Sequence, residues 1–370
     1  MSTRRGGNPA NDRAPAQHMF SQRVITWQRS HGRHDLPWQG TRDAYRIWLS
    51  EVMLQQTQVA TVIPYYLRFV ERFPDVDTLA AAAADEVMSA WAGLGYYSRA
   101  RNLHRCAQAV VAEHGGQFPR SAAELERLPG IGRSTAAAIA TFAHGERAAI
   151  LDGNVKRVLA RHFGVAGHPG ASKVERALWA IAEEQLPHSD IDAYTQGLMD
   201  LGSTVCTRTQ PGCARCPVHA SCVARREGRI AELPAPRPPK ARPLRAATLA
   251  LIADDSGAIL LERRAPTGIW GGLLSPPEFA AEVSDADLEQ QVVHRFALGA
   301  RVVERLAPVR HEFSHYSFVM HPRLLLATQA SGVAETAAVK WLSADRFDEA
   351  ALPAPIRRLL LSLNGVRGVT

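Results

Sequence analysis

Apolar residues recur at helical spacing from Met19 to about Arg226, then give way to strand-like runs beyond about residue 245. The pattern predicts a helical N-terminal part followed by a C-terminal α+β part. In the segment from Tyr45 to Thr57, the residues Tyr45, Trp48, Leu49, Val52 and Met53 form the buried stripe of a helix; Ile47, Glu51, Leu54, Gln55 and Gln58 lie on another face. Alanine-rich stretches at Leu79–Ala92 and Ala136–Ala143 read as packed helices, with breaks at Pro74, Gly93-Leu94-Gly95, Pro119 and Pro129-Gly130. Ser121 and Glu124 make a capping box for a helix that closes at Leu128, and a second helix begins near Arg133. Later, the apolar run Ala246–Ala253, the turn Asp255-Ser256-Gly257 and the return through Ala258–Glu262 predict a hairpin, and Phe313–Thr328 is a second β-rich stretch.

These textures divide the chain. Residues 1–17 lack hydrophobic period and are expected to be a mobile tail; 18–230 form the helical domain; 231–245, with five prolines between Leu233 and Pro243, form an extended linker; 246–370 form the second domain. A length of 370 residues with 46% hydrophobic content suits two cores. Charges interrupt every long apolar stretch, so no membrane association is expected, and the absence of an apolar leader points to a soluble, intracellular protein, expected to be a monomer. A net charge of +7 favours a polyanionic partner, although charge alone also fits any soluble basic protein.

Three groups of residues carry candidate chemistry. Cys206, Cys213, Cys216 and Cys222 stand in the pattern C-x6-C-x2-C-x5-C. Without an oxidising compartment a disulfide pair is disfavoured, and one Cys-x2-Cys flanked by longer arms leaves zinc open while suiting an iron–sulfur cluster better. The fifth, Cys106, reads as a buried apolar residue. The glycine turn Pro129-Gly130-Ile131-Gly132 between two helices leaves amides free at the start of the second, where a phosphate oxygen could be received; as a bare pattern it is more often a plain tight connection. Finally, Glu51, beside amides and amid apolar bulk, would have a raised pKa if buried, whereas its local pattern alone suits a solvated surface glutamate. Asp152 is placed to cap the helix running to about His162 and to stay ionised. One raised and one ordinary carboxylate is the division of labour expected for cleaving a glycosidic bond.

Taken together, the segments Ser50–Gln58, Gly93–Arg101, Leu128–Thr135 and Leu151–Arg157 with the cysteine row resemble the MutY-type adenine DNA glycosylases of the endonuclease III-like, helix-hairpin-helix superfamily, over essentially the whole chain from Phe20 onward. The resemblance implies an all-α helix-hairpin-helix glycosylase domain (hairpin 121–145) with an iron–sulfur loop (206–222), plus a C-terminal α+β Nudix-like domain. It implies a monofunctional glycosylase of base excision repair that removes adenine mispaired with 8-oxoguanine or guanine in duplex DNA, in the cytoplasm at the nucleoid, with replication or repair proteins as further partners. Glu51 would protonate the departing base, Asp152 stabilise the sugar cation and Asn154 orient Asp152. Gln56 and Tyr96 match residues inserted into the duplex, and Gly130, Gly132 and Ser134 belong to the DNA-gripping hairpin. Bifunctional relatives carry lysine where this chain has Ser134, and serine forms no Schiff base. The cysteines would hold a [4Fe–4S] cluster.

The C-terminal domain is similar to the MutT-like domain of that family but lacks the carboxylate set that a Nudix hydrolase needs, between Gly271 and His294, so recognition rather than nucleotide hydrolysis is expected. Phe313-Ser314-His315 matches the element that contacts 8-oxoguanine; in a straight strand Ser314 would face away from its neighbours, so a turn is required. His34 and Gln39 lie where relatives carry arginines around the adenine pocket. Two other readings stand beside this one: a thymine or oxidised-pyrimidine glycosylase of the same superfamily, and a DNA-binding adaptor without catalysis.

Overall fold

The computed structural model describes residues 13–238, 242–265, 267–313, 316–328, 336 and 338–363, with side chains from Met19 onward. They fall into two compact units: one takes the described residues up to Ala81 and those of Asn102–Pro239, the other takes Ala82–Arg101 and those from Lys240. In chain order the described α-helices are α1 (Arg13–His31), α2 (Ala44–Leu54), α3 (Val59–Arg72), α4 (Val76–Ala81), α5 (Ala84–Ala90), α6 (Ser98–His114), α7 (Ala122–Leu125), α8 (Arg133–His144), α9 (Gly153–Phe163), α10 (Ser172–Glu184), α11 (Ile191–Asp200), α12 (Val223–Arg226), α13 (Asp285–Phe296) and α14 (Ala354–Leu363); α5, the first residues of α6, α13 and α14 fall in the second unit. Helix α1 starts inside the stretch expected to be a tail. No described helix is long and apolar enough to cross a membrane.

The core of the first unit gathers Val24 and Ile25 of α1, Ala137 and Ala138 of α8, Val155, Val158 and Leu159 of α9, Leu178 of α10, and Tyr194 and Leu198 of α11. At about 25 cal/mol per Å2 of apolar surface, burying each of the larger side chains is worth on the order of 2 kcal/mol, which makes this cluster the main support for everything mounted on α8 and α9. Two further buried aromatics, Trp48 and Tyr66, anchor α2 and α3. Ile47, expected on the other face of α2, is buried as well, because that face lines a hollow instead of solvent. The alanine-rich stretch 79–92 is two short helices rather than one, with Ala83 extended between them.

The second unit is built on a mixed sheet of β1 (Leu244–Ala253), β2 (Ile259–Arg263), β3 (Leu274–Ser275), β4 (Glu278–Ala280), β5 (Ala300–Arg305), β6 (Val309–Glu312), β7 (Ser317–Ala327) and β8 (Val339–Leu342). The central path runs β3-β2-β1-β7-β5. Strands β1 and β7 are parallel over ten pairs, from Leu244↔Ser317 to Ala253↔Leu326, and the expected hairpin β1–β2 is antiparallel. Helix α13 packs Leu288 and Val292 against Ala250, Ile252 and Leu325 of the sheet. The segment 82–101 belongs to this unit through three ties: Asp85 accepts from Arg263 at 2.5 Å, Ser89 donates to the Glu349 carbonyl, and Arg101 donates to the Gly271 carbonyl at 2.5 Å. The first part of the expected linker is packed down, with Leu233 buried and its carbonyl accepting from Arg161 at 2.8 Å.

Candidate active site and nucleic-acid interface

Helix α2 presents Glu51 on the wall of a hollow of about 470 Å3, together with Gln28, Arg33, His34, Trp38, Gln39 and Ile47 among others. The size and mixed lining suit a flat heterocycle. Burial, reinforced by the Asp152 carboxylate, pushes the Glu51 carboxyl up to about 8. The two acids are therefore electrostatically coupled within the first unit. Asp152 itself caps α9: its Oδ1 accepts from the Val155 amide at 2.7 Å and its Oδ2 from Asn154 Nδ2 at 3.4 Å.

One expectation is corrected here. Asp152 is not an ordinary carboxylate, since burial raises its pKa too, against the pull of the Val155 and Asn154 hydrogen bonds and the nearby Arg157. The two acids still differ, because only Asp152 has donors that favour its anion. Arg157, noticed in the sequence only as the end of a motif, is a bracket: it donates to Asn154 Oδ1 at 2.8 Å, to the Gly202 carbonyl at 2.6 Å and to the Cys206 carbonyl at 2.7 Å.

Around the hollow, His34 bonds the Gln28 carbonyl at 2.9 Å, and Gln39 is occupied by the Leu36 amide and the Arg33 carbonyl. Sequence reasoning missed Arg33, which is clamped by the fully buried Asp200 at 2.6 Å, with Gln196 donating to the same carboxylate. A charged residue amid the apolar run of α11 was the available signal.

The glycine turn is built as expected. Gly130 has φ +78, and a Cβ there would lie 2.6 Å from Asn102 Cβ, so only glycine fits. Gly132 caps α8 with open space beside it, leaving the first amides of the helix accessible. Ser134, in the first turn of α8, accepts from the Leu151 amide at 2.9 Å and so ties the hairpin to the residue before Asp152. Gln55 reaches Thr135 Oγ1 at 3.4 Å. Helix α2 stops at Leu54, and exposed Gln56 takes a left-handed φ of 57 before α3 starts behind Gln58.

Cys206, Cys213, Cys216 and Cys222 line one small hollow with Arg161, Val205, Pro211 and His219. Burial, with smaller contributions from each of the other three cysteines, pushes the Cys216 thiol up to about 11, so all four sulfurs are within electrostatic reach. Arg161 Nη1 donates to Cys206 Sγ at 3.4 Å. Among the described residues no three His, Cys, Asp or Glu side chains converge on a single metal ion. Cys106 is fully buried and apart from them in sequence.

In the second unit, Tyr96 is 48% exposed and, like Gln56, holds a left-handed φ, of 49. Phe313 closes the turn between β6 and β7, its amide donating to the Tyr316 carbonyl at 2.9 Å; Ser314 and His315 lie outside the described residues. Phe313 packs against Trp270, His311 and Tyr316 at centroid distances of 5.4, 4.5 and 4.9 Å, edge-on to His311 and tilted to the other two. Tyr96, Tyr97, Trp270, His311 and Phe313 share the lining of a second hollow of about 470 Å3. Four carboxylates of this domain are engaged by arginines or an amide: Asp285 by Arg305 and Arg323, Glu262 by Arg295, Glu278 by Arg264, Glu289 by the Val302 amide.

Comparison with known proteins matches two successive stretches of the chain to two families. Residues 49–184 match the family profile described as HhH-GPD superfamily base excision DNA repair protein, and residues 248–362 match the NUDIX domain. An adenine DNA glycosylase of Buchnera aphidicola subsp. Baizongia pistaciae is 32% identical over 345 residues, 93% of this chain and 97% of the relative. The Homo sapiens adenine DNA glycosylase is 33% identical over 405 residues, 94% of this chain and 74% of the relative. Among solved structures, a thermostable thymine-DNA glycosylase superposes with a TM-score of 0.52 at 28% identity, covering 58% of this chain and 99% of its own. With a relative matched along nearly its entire length and both domains accounted for, the chain belongs to the MutY-type adenine DNA glycosylases, hydrolases of base excision repair with a helix-hairpin-helix domain and a Nudix-like domain.

Proposed function

We propose that this enzyme excises adenine mispaired with 8-oxoguanine or guanine in duplex DNA and leaves an uncut abasic site. The observation that carries the reading is a Glu51 carboxyl held neutral to about pH 8 on the wall of a hollow roomy enough for a purine and coupled to Asp152. Adenine must leave the stack to enter that hollow. Glu51 then gives its proton to the adenine ring, the bond between the sugar C1′ and the base breaks, and the base departs neutral. The positive charge left on the sugar is stabilised by the Asp152 anion, which the Val155 amide and Asn154 hold in place. Water adds at C1′ and its proton passes to a carboxylate of the pair.

Ser134 Oγ, bonded to the Leu151 amide, offers no amine for attack on the sugar, which supports a monofunctional reaction. Gln56 and Tyr96, both at positive φ on exposed turns, are assigned as wedges. The turn at Phe313, with Ser314 and His315, is assigned to the base opposite adenine; its support is the aromatic hollow that Phe313 shares with Tyr96. Gly130, Gly132 and Ser134 grip phosphate. Cys206, Cys213, Cys216 and Cys222 would hold a [4Fe–4S] cluster: four thiols lining one hollow, in a pattern of one close pair flanked by longer arms, support it. When bound, that group cross-links the loop 206–222 and so presents Arg208 and Arg215 to the DNA backbone.

The test is excision from a duplex with adenine opposite 8-oxoguanine, repeated with Glu51→Gln. Cleavage by the unaltered enzyme, lost in a variant that still binds, is the expected result. Binding without cleavage by either protein would favour the adaptor reading, and preferred excision of thymine or an oxidised pyrimidine would favour the other superfamily activity.

A further inference from the structure

We propose that Arg99 is a positioning residue that braces the turn presenting Tyr96, so that the tyrosine ring is held ready to enter the duplex; this rests on the wedge role given to Tyr96 above. A left-handed conformation at a non-glycine residue costs on the order of 1 kcal/mol and persists only where neighbours over-determine it. At Tyr96 the neighbours are specific. The chain turns through Gly93 and Gly95, both at positive φ, and the turn directs the carbonyls of Leu94 and Gly95 inward. Arg99 Nη2 donates to both, at 3.3 Å each, and Trp91 Nε1 donates to the Gly95 carbonyl at 3.2 Å. The same guanidinium lies 5.2 Å from the Trp91 ring centroid and 5.6 Å from that of Tyr96. It therefore lies over the ring it positions while pinning the backbone just before it.

Arg99 is also in the wrong place for direct DNA contact. It is 8% exposed, and burial lowers its pKa to about 10, whereas a phosphate-binding arginine would offer its charge to solvent. Lysine would keep the charge and could reach the carbonyls, but it has no planar guanidinium to lie over the Trp91 and Tyr96 rings while doing so.

The experiment uses the full chain on a Glu51→Gln background, with a duplex carrying 2-aminopurine beside the adenine opposite 8-oxoguanine. The rise in fluorescence on binding reports unstacking. Arg99→Lys and Tyr96→Ala should each lower that rise several-fold, and the double variant should lower it no further than the worse single variant. In otherwise unaltered protein, Arg99→Lys should slow single-turnover excision about tenfold on the paired duplex and much less where an abasic analogue opposite adenine has already opened the site.

An unchanged rise in Arg99→Lys, beside a lowered one in Tyr96→Ala, overturns the proposal and leaves the wedge standing. An unchanged rise in Tyr96→Ala removes the wedge reading and this inference with it. Additive losses in the double variant overturn it as well. Thermal melting accompanies Arg99→Lys and Arg99→Gln, and the readouts are taken on whichever folds; failure of both to fold would assign Arg99 to maintenance of the fold and overturn the proposal.

Discussion

Replacing Glu51 by glutamine should do two opposite things, and their pH dependence tests the acid assignment directly. A carboxyl moved from 4.5 to about 8 prefers its neutral form in the folded protein by about 5 kcal/mol, at ~1.4 kcal/mol per pH unit. Below pH 4.5 the side chain is neutral whether the chain is folded or not, and it contributes no penalty. As the pH rises from 4.5 to 8, the unfolded chain releases this proton and the folded chain keeps it, so stability falls with pH across that window and levels off above it. Glutamine does not titrate. The variant should match the wild type near pH 4.5, exceed it by about 3 kcal/mol at pH 7 and by about 5 kcal/mol above pH 8, while having lost its catalytic acid. Denaturant midpoints of both proteins from pH 5 to 9 give the stability difference; single-turnover excision by the wild type over the same range should fall off above about pH 8. Stability curves that run parallel, or excision that declines already near pH 5, would refute the reasoning.

Three further outcomes follow from the geometry. Ser134→Lys loses the bond to the Leu151 amide and gains an amine beside the sugar, so borohydride should trap an enzyme–DNA adduct that the unaltered protein does not form. The purified protein should carry about four irons with visible absorption, and Cys216→Ser should lose both and weaken duplex binding, most at low salt; stoichiometric zinc instead would contradict the cluster assignment. Phe313→Ala removes the ring packed on Trp270 and His311 and should narrow the preference for 8-oxoguanine over guanine opposite adenine more than it slows excision itself, measured as the ratio of single-turnover rates.

Much of this was legible in the sequence because the signals are local. The apolar stripe of α2, the Ser121 cap, the glycines of the turn and the spacing of four cysteines each involve neighbours along the chain, and each was placed within a few residues. What was not legible depends on distant partners. Gln55, Gln56 and Thr57 contain no breaker, so only packing ends α2 at Leu54 and turns Gln56 left-handed. An unbroken alanine run cannot announce the gap at Ala83. The parallel register of β1 on β7 joins residues some seventy positions apart, and Trp270 meets Phe313 only through that sheet. Burial of Asp152 is likewise tertiary: its own sequence says cap, and a cap is ordinarily wet.

That last point bears on why the site is built from a cap at all. An aspartate held by the Val155 amide and Asn154 at the start of α9 has little freedom to rotate, so its charge stays aimed at one place without help from substrate. Asn154 is held in turn by Arg157, which also donates to carbonyls of Gly153, Gly202 and Cys206, the last a residue of the cysteine loop. Anything that orders that loop therefore also limits how far Arg157, Asn154 and Asp152 can drift. Two carboxyls in one site repel each other, and on the proposed assignment the repulsion is met by giving Asp152 hydrogen bonds and a nearby Arg157 that favour its anion, while burial and Asp152 itself keep Glu51 protonated.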